Sequence, residues 1–414
     1  MARLLTTAAL AVGLALSSLP ARADVTLELP SYQLQQGFGA WWRAAASAFE
    51  AEHPGVKINL IDVPFGDHHK QLTTRLIAGN PPDLLHISAR YFYSFADEGL
   101  LEPLDDYLAS AGWKESDFIP GQVDMRRNGH IYAQLLLGYS YGLYYNAEML
   151  EKAGVAVPTD ITSMMDAAKK LTVDRDGDGR ADQFGLLWPT ANTNASYIYL
   201  TYMLTGLGKD WVDADGKLVS RDDLRAAVAR VEELLAMGAT PPGLDVNPAR
   251  QMFWQGDAAM YIDGSWAVAD RERAAEQVKN HYAVAPVPLK GEAGGPSNVL
   301  AVPAGLPDDR RKAALDFVAF VSSKHWQEEY ALISGNPPAR LGSITQAAYE
   351  KWKELPIFEK SAAEYRGSFM PRGLEGKFSD VDRIVRDAIT AMVSKQMTAE
   401  QAADAIHDQM SALF

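Results

Sequence analysis

Several stretches of this chain carry residue types at spacings that could do chemistry. Gly138-Tyr139-Ser140-Tyr141-Gly142 is a G-x-S-x-G pattern. In serine hydrolases that pattern presents a nucleophilic hydroxyl on a strained turn between a strand and a helix. Here Leu143-Tyr144-Tyr145 follows and reads as strand, and a helix waits until Asn146. His281, His325 and His407 could serve as bases, yet nothing marks one of them. A periplasmic hydrolase using Ser140 is therefore the rival reading.

The run Asp174-Arg175-Asp176-Gly177-Asp178-Gly179-Arg180-Ala181-Asp182 has the oxygen ligands of a calcium loop at Asp174, Asp176, Asp178 and Asp182, with Gly179 at the sharp turn. The twelfth position, which needs a bidentate Glu, is Gly185. Weak calcium binding is the most such a loop would give, and a turn-rich β-hairpin is the expected form, since Asp and Gly favour turns. His68 and His69 are adjacent, so on a helix they diverge, and no metal is expected there. No cofactor is expected.

The chain has 9 Trp, 17 Tyr and 14 Phe. Sugar rings present C–H faces that stack on aromatic rings, and hydroxyls that pair with planar amides, carboxylates and guanidinium groups. Most of these aromatics, such as Phe49 and Phe317, sit at helical spacing and are expected in a core. Trp266 differs. It follows Asp263-Gly264-Ser265 at a strand-to-helix turn, where a ring can face a cleft.

The elements that would position these residues alternate. Strands are expected at Val25 to Leu29, Val56 to Val63 and Leu84 to Ser88, with helices at about Gly39 to Glu52 and Asp67 to Ala78 between them. That order implies a parallel sheet covered by helices, with ligands beyond the carboxyl ends of strands. Those ends are Ser31 to Gln36, Pro64 to His69 and Ser88 to Tyr93. Asn146 caps a helix that Gly154 stops, and Thr159 or Asp160 caps the next. Further helices are expected at Asp222 to Met237, Pro248 to Gln255, Gly264 to Glu276, Arg310 to Ser322 and His325 to Ile333, and two more from about Asp380, broken near Gln396 to Thr398.

Residues 1–23 read as a signal peptide: Arg3, an apolar stretch from Leu4 to Leu19, and Ala21-Arg22-Ala23 for cleavage. Its apolar stretch of about 16 residues is shorter than the roughly 20 a spanning helix needs. There is no cysteine. That excludes disulfides, thiol catalysis and a lipid-modified Cys, and a freely diffusing periplasmic monomer is expected. Removing Arg3 and Arg22 takes the formal charge from −14 to −16, which argues against nucleic-acid or anionic-membrane partners. About 390 mature residues imply two domains.

Four separated motifs carry one resemblance: Gly79-Asn80-Pro81-Pro82-Asp83, Tyr144-Tyr145-Asn146, the stretch Phe253-Trp254-Gln255-Gly256-Asp257-Ala258-Ala259-Met260, and Asp263-Gly264-Ser265-Trp266. In order and spacing they resemble the sugar-binding, maltose-binding-like branch of the extracellular solute-binding proteins of ABC importers. The resemblance implies a periplasmic-binding-protein-like α/β fold: two discontinuous lobes joined by three crossings around a ligand cleft. The crossings are expected near 138–142, 286–290 and 340–345, giving lobes of 24–138 plus 287–340 and 142–286 plus 345–414.

It also implies capture of a carbohydrate for membrane permease subunits. Trp266 would stack on the sugar, while Ser88, Arg90 and Tyr91 would supply contacts after the third strand. Arg90 stands where the family commonly has Asp, which leaves an anionic derivative (phosphate, sulfonate or polyol ester) as the alternative ligand. Tyr139 stands where maltose-binding proteins carry Glu. Trp188, Asn192, the pair Gly294-Gly295, and Arg366, Phe369 and Arg372 complete the expected contacts.

Overall fold

The computed structural model describes residues 25–34, 38–138, 140–288, 296–363 and 370–414. The expected signal peptide and Tyr139, Gly294, Gly295, Arg366 and Phe369 lie outside the described residues.

The N-terminal lobe is built on β1 (Val25–Ser31), β2 (Val56–Asp62), β3 (Leu85–Ser88), β6 (Ala133–Gly138) and β10 (Pro296–Ala301). A short hairpin, β4 (Arg126–Arg127) with β5 (His130–Ile131), lies between β3 and β6. β1 and β2 are parallel, in register from Val25 opposite Val56 to Ser31 opposite Asp62. β10 stands between β3 and β6 and runs antiparallel to both. The sheet is therefore mixed where a parallel one was expected: β10 enters from the other lobe and runs against the local strands. A 3.1 Å bond from the Leu84 N–H to the Glu28 carbonyl ties β1 to the segment leading into β3.

Apolar residues at alternate positions of β1 (Val25, Leu27, Leu29) face one layer of helices, Gly39–Glu52, Asp308–Val321 and Lys324–Ser334. Trp41, Trp42, Phe49 and Phe317 are all fully buried there. The stack is worth roughly 1.5–3 kcal/mol for each fully buried large apolar side chain.

The C-terminal lobe centres on β7 (Tyr141–Asn146), flanked antiparallel by β8 (Met260–Gly264) and β9 (Tyr282–Ala285). Bridges from Phe184 to Ala258 and Leu187 to Tyr261 add a parallel edge beside β8. Caps act as their sequences imply. The Asn146 side chain accepts from Met149 N, Gly154 ends that helix at φ 60°, and Asp160 forms a capping box with Ser163. Helix Ala195–Gly206 has no sequence signal of amphipathicity because all twelve of its residues are buried. The stretch after β8 is a 3-10 helix, Ser265–Arg273, where one α-helix to Glu276 was expected.

The chain changes sheet between Gly138 and Tyr141 and again between Ala285 and Pro296. After helix Lys324–Ser334 it passes Gly335 (φ 71°) to helices Gln346–Lys351 and Leu355–Ala363, and Phe358 of the latter packs over Gly142 on β7.

Candidate functional site

A cavity of about 780 Å³, counting the space open to solvent at its mouth, lies between the lobes.

Its N-terminal wall comes from the ends of β1, β3 and β10. Tyr32 and Gln33 follow β1, Ser88 ends β3 and Arg90 follows it, and Ser297 and Asn298 lie on β10. The Tyr32 hydroxyl donates to Asn298 Oδ1. Behind the Tyr32 ring stand three histidines. His86 stacks on it at 4.7 Å between centroids, and His68 meets it edge-on at 5.0 Å. His69 stacks at 4.0 Å on Tyr91 and accepts a 3.0 Å bond from Ser88 N–H.

Adjacent His68 and His69 do not diverge as expected. Both are buried and their rings are 5.0 Å apart. His68 Nε2 donates to the His86 carbonyl at 2.7 Å, and His86 Nδ1 pairs with Ser31 Oγ at 2.9 Å. Burial, only partly opposed by that carbonyl, pushes the His68 pKa down to about 4. Burial first, then repulsion from His68, holds His69 and His86 well below the usual range. Among the described residues lining this wall, all are polar and Arg90 alone is charged.

The C-terminal wall is different. Tyr141 opens β7, Asn194, Ile198 and Tyr199 come from the start of helix Ala195–Gly206, and Asn247 and Arg250 lie on helix Val246–Gln255. Asp263 lies on β8 and Trp266 just beyond it. Arg250 grips Asp263 with two bonds, Nε to Oδ2 at 2.7 Å and Nη2 to Oδ1 at 3.2 Å, and Asp270 stands 3.8 Å away. Burial opposes the Arg250 charge, but Asp263 more than offsets it and the pKa is raised. Asp263 Oδ1 also accepts from Gly264 N–H at 2.7 Å.

Trp266 is half-buried, set edge-on to Tyr141 at 5.2 Å. A Cβ at Gly264 would lie 2.3 Å from the Trp266 ring, so only glycine lets the ring fold back into the cleft.

Of the expected contacts, Ser88, Arg90 and Trp266 line this cavity. Others do not. Trp188 is fully buried, packed edge-on to Tyr199 at 5.1 Å, and is a core residue one layer behind the wall. Asn192 is exposed, and Asn194 two residues later lines the cavity. Tyr91 sits behind the wall against His69. Arg372 is exposed and reaches the Asp213 carbonyl at 3.5 Å.

Tyr32, Gln33, Tyr199, Arg250, Asp263 and Asn298 were not singled out from sequence. Tyr32 and Gln33 fall inside the strand-end stretch the topology rule picks, and Asp263 inside the motif ending at Trp266. Arg250 and Tyr199, inside helices, carry no such signal.

The Ser140 side chain is fully buried, with its Oγ 2.8 Å from Ser265 Oγ, and Ser265 Oγ bonds to Asn336 Oδ1. β7 begins at the next residue, so the strand–serine–helix turn that a nucleophile elbow needs is not formed.

The Asp174–Asp182 loop is a hairpin closed by Val173 and Gln183. Asp174, Asp176 and Asp182 bring carboxylate oxygens within 4.8 Å of one another, all exposed, and Asp178 is not part of that group. Their oxygens already accept backbone N–H groups: Asp174 from Gly177 and Gly179, Asp176 from Asp178, and Asp182 from Arg175. At Gly185 a Cβ would lie 1.9 Å from the Ala168 carbonyl oxygen, so no acid can occupy that position.

Two α/β lobes with a polar, aromatic-lined cleft between them define a solute-capturing protein. Residues 33–328 match the bacterial extracellular solute-binding protein family, and the chain belongs to that family. It is similar to a probable sugar-binding periplasmic protein of Brucella melitensis, 23% identical with 87% of this chain and 88% of the relative covered. It is also similar to the sn-glycerol-3-phosphate-binding periplasmic protein of the same species, 25% identical over 87% of this chain and 84% of that one. The fold matches the maltose-bound MalE3 structure of T. maritima with TM-score 0.80 and 22% identity, over 95% of this chain and all of that one.

Proposed function

We propose that this chain is the periplasmic receptor of an ABC importer, binding a carbohydrate or polyol between its lobes and presenting it to permease subunits in the inner membrane. Residues 1–23 would direct export, and the receptor would act as a monomer, without covalent chemistry and without a metal. The observation that carries the reading is the composition of the cleft. An indole and an Arg–carboxylate pair on one wall stand across the cavity from amides and hydroxyls on the other, the set that stacked C–H faces and ring hydroxyls require.

An anionic sugar derivative is the second reading, favoured by Arg90 and Arg250 both reaching the cavity and by the glycerol-phosphate-binding relative. Against it, Arg250 is already neutralised within its own lobe by Asp263. The balance favours a neutral ligand.

The test is a thermal-shift and calorimetry screen of the mature protein against neutral monosaccharides, disaccharides, polyols, and sugar and glycerol phosphates. A ligand at 100 times its dissociation constant stabilises by about 2.7 kcal/mol. A hit among neutral sugars that is insensitive to salt supports the leading reading. A salt-sensitive phosphate hit selects the second, since charge pairing is screened. Binding of no polyhydroxylated compound overturns both.

A further inference from the structure

Helix Phe378–Val393 belongs to the C-terminal lobe by its packing on helices Ala195–Gly206 and Ala399–Ser411, yet it also touches helix Ala89–Asp97 of the N-terminal lobe. Phe378 is the point of contact. Its ring is buried, edge-on to Tyr197 of one lobe at 5.1 Å and to Tyr91 of the other at 6.2 Å. The Arg90 guanidinium lies 5.9 Å from the same ring. One turn on, Asp382 lies on the same helix face as Phe378. Just before the helix, Gly376 passes so close to Asp97 that a Cβ would stand 2.8 Å from its Oδ2.

Asp382 is an unusual residue to bury for stability alone. It is 6% exposed, its Oδ2 accepts only a 3.4 Å bond from Arg386, and its Oδ1 accepts no hydrogen bond from any described residue. A buried carboxylate used this incompletely costs more desolvation than it recovers. Burial raises its pKa despite Arg386 and Arg90. Such a residue is explained if its role is to hold a charge in the other lobe.

We propose that Phe378 and Asp382 are positioning residues for the cleft arginine Arg90, clasping the two lobes across the cavity so that closure and the placing of Arg90 at the ligand are one event. The clasp rests on the two-lobe receptor reading but is tested without ligand. Tyr197, gripped by Phe378, is the neighbour of Ile198 in the cavity wall, so the clasp touches both walls at once.

The experiment compares the ligand-free mature chain with Asp382→Asn and Phe378→Leu by backbone hydrogen exchange over 88–97, solution scattering and melting temperature. Asp382→Asn is expected to leave the melting temperature unchanged or higher, to speed exchange over 88–97 by about ten-fold, and to enlarge the radius of gyration. Phe378→Leu is expected to act in the same direction on exchange and scattering. In an Arg90→Ala background, where the clasp has already lost its partner, Asp382→Asn should add nothing. Unchanged exchange and scattering in both variants overturn the proposal. So does a uniform rise of exchange along the chain with a lowered melting temperature, which marks a merely structural residue. Failure of every sugar to bind would overturn the receptor reading and leave these outcomes readable.

Discussion

On the N-terminal wall of the cleft, polarity is buried in neutral rings; on the C-terminal wall it is buried as charge. His68, His69 and His86 are packed beneath Tyr32 with burial holding them uncharged. Arg250 and Asp263 face them across the cavity as a two-bonded ion pair, with side chains 12% and 5% exposed. The difference teaches where each lobe is vulnerable. A neutral ring cluster fails by gaining a proton, and an ion pair fails by losing a partner.

The sharpest way to break the comparison is to split the pair. Arg250→Ala strands the Asp263 carboxylate in a buried site and is expected to cost about 3–5 kcal/mol of stability, read by urea unfolding at neutral pH. Arg250→Leu with Asp263→Leu should recover most of that loss, because both desolvation costs go together. A single change costing under about 1 kcal/mol would mean that water or Asp270 compensates freely.

Acid probes the other wall. His68 has a folded pKa of about 4 against the ordinary 6.5. Above pH 6.5 it is neutral folded and unfolded alike and adds nothing. As pH falls from 6.5 to 4 the unfolded chain takes up a proton that the folded one excludes, so stability falls. His68 alone should account for about 3 kcal/mol of that loss at full expression, with His69 and His86 acting in the same direction. Asp270 and Asp382, whose pKa values burial raises, oppose it, so the readout is the difference between wild type and His68→Gln. Parallel pH–stability curves for the two would show that the ring cluster is hydrated.

Ligand binding tests what the walls do together. Trp266→Ala removes the stacking face and is expected to weaken the sugar found in the screen by roughly 1–3 kcal/mol, measured by calorimetry. Arg372→Ala should leave affinity unaltered, since that side chain is exposed at Asp213 rather than in the cavity. Unaltered affinity in Trp266→Ala would move the site elsewhere. The smallest expected effect is that of chelation. The Asp174 hairpin should keep its melting temperature when calcium is removed, because backbone N–H groups already fill its carboxylates. A drop restored only by calcium would show an ion bound there.

Much of the fold was legible because its signals are local. Asn146, Gly154 and Asp160 start and stop helices through hydrogen bonds spanning three or four residues, and β1 alternates between buried and more exposed positions from Val25 to Leu29. Helix Ala195–Gly206 was not legible, since a helix buried on every side has no polar face to set its period. Helix Ala89–Asp97 also went unread, since its start doubles as a strand end. The site was legible in part. Trp266 announces itself by the glycine two residues earlier, whereas Trp188 has the same residue type in a similar loop and is core.

The sequence by itself determined the class of protein: caps, periodicities and four short motifs are properties of neighbouring residues and survive without long-range contacts. Which rings face the cavity was decided only by tertiary structure. Tyr32, Arg90, Arg250 and Trp266 meet because β1, β3 and β8, with a helix beside β8, end at one cleft, and their separation along the chain carries no trace of that meeting. The state of the buried groups was decided there too. A histidine is held neutral, and an arginine charged, by what surrounds it in space.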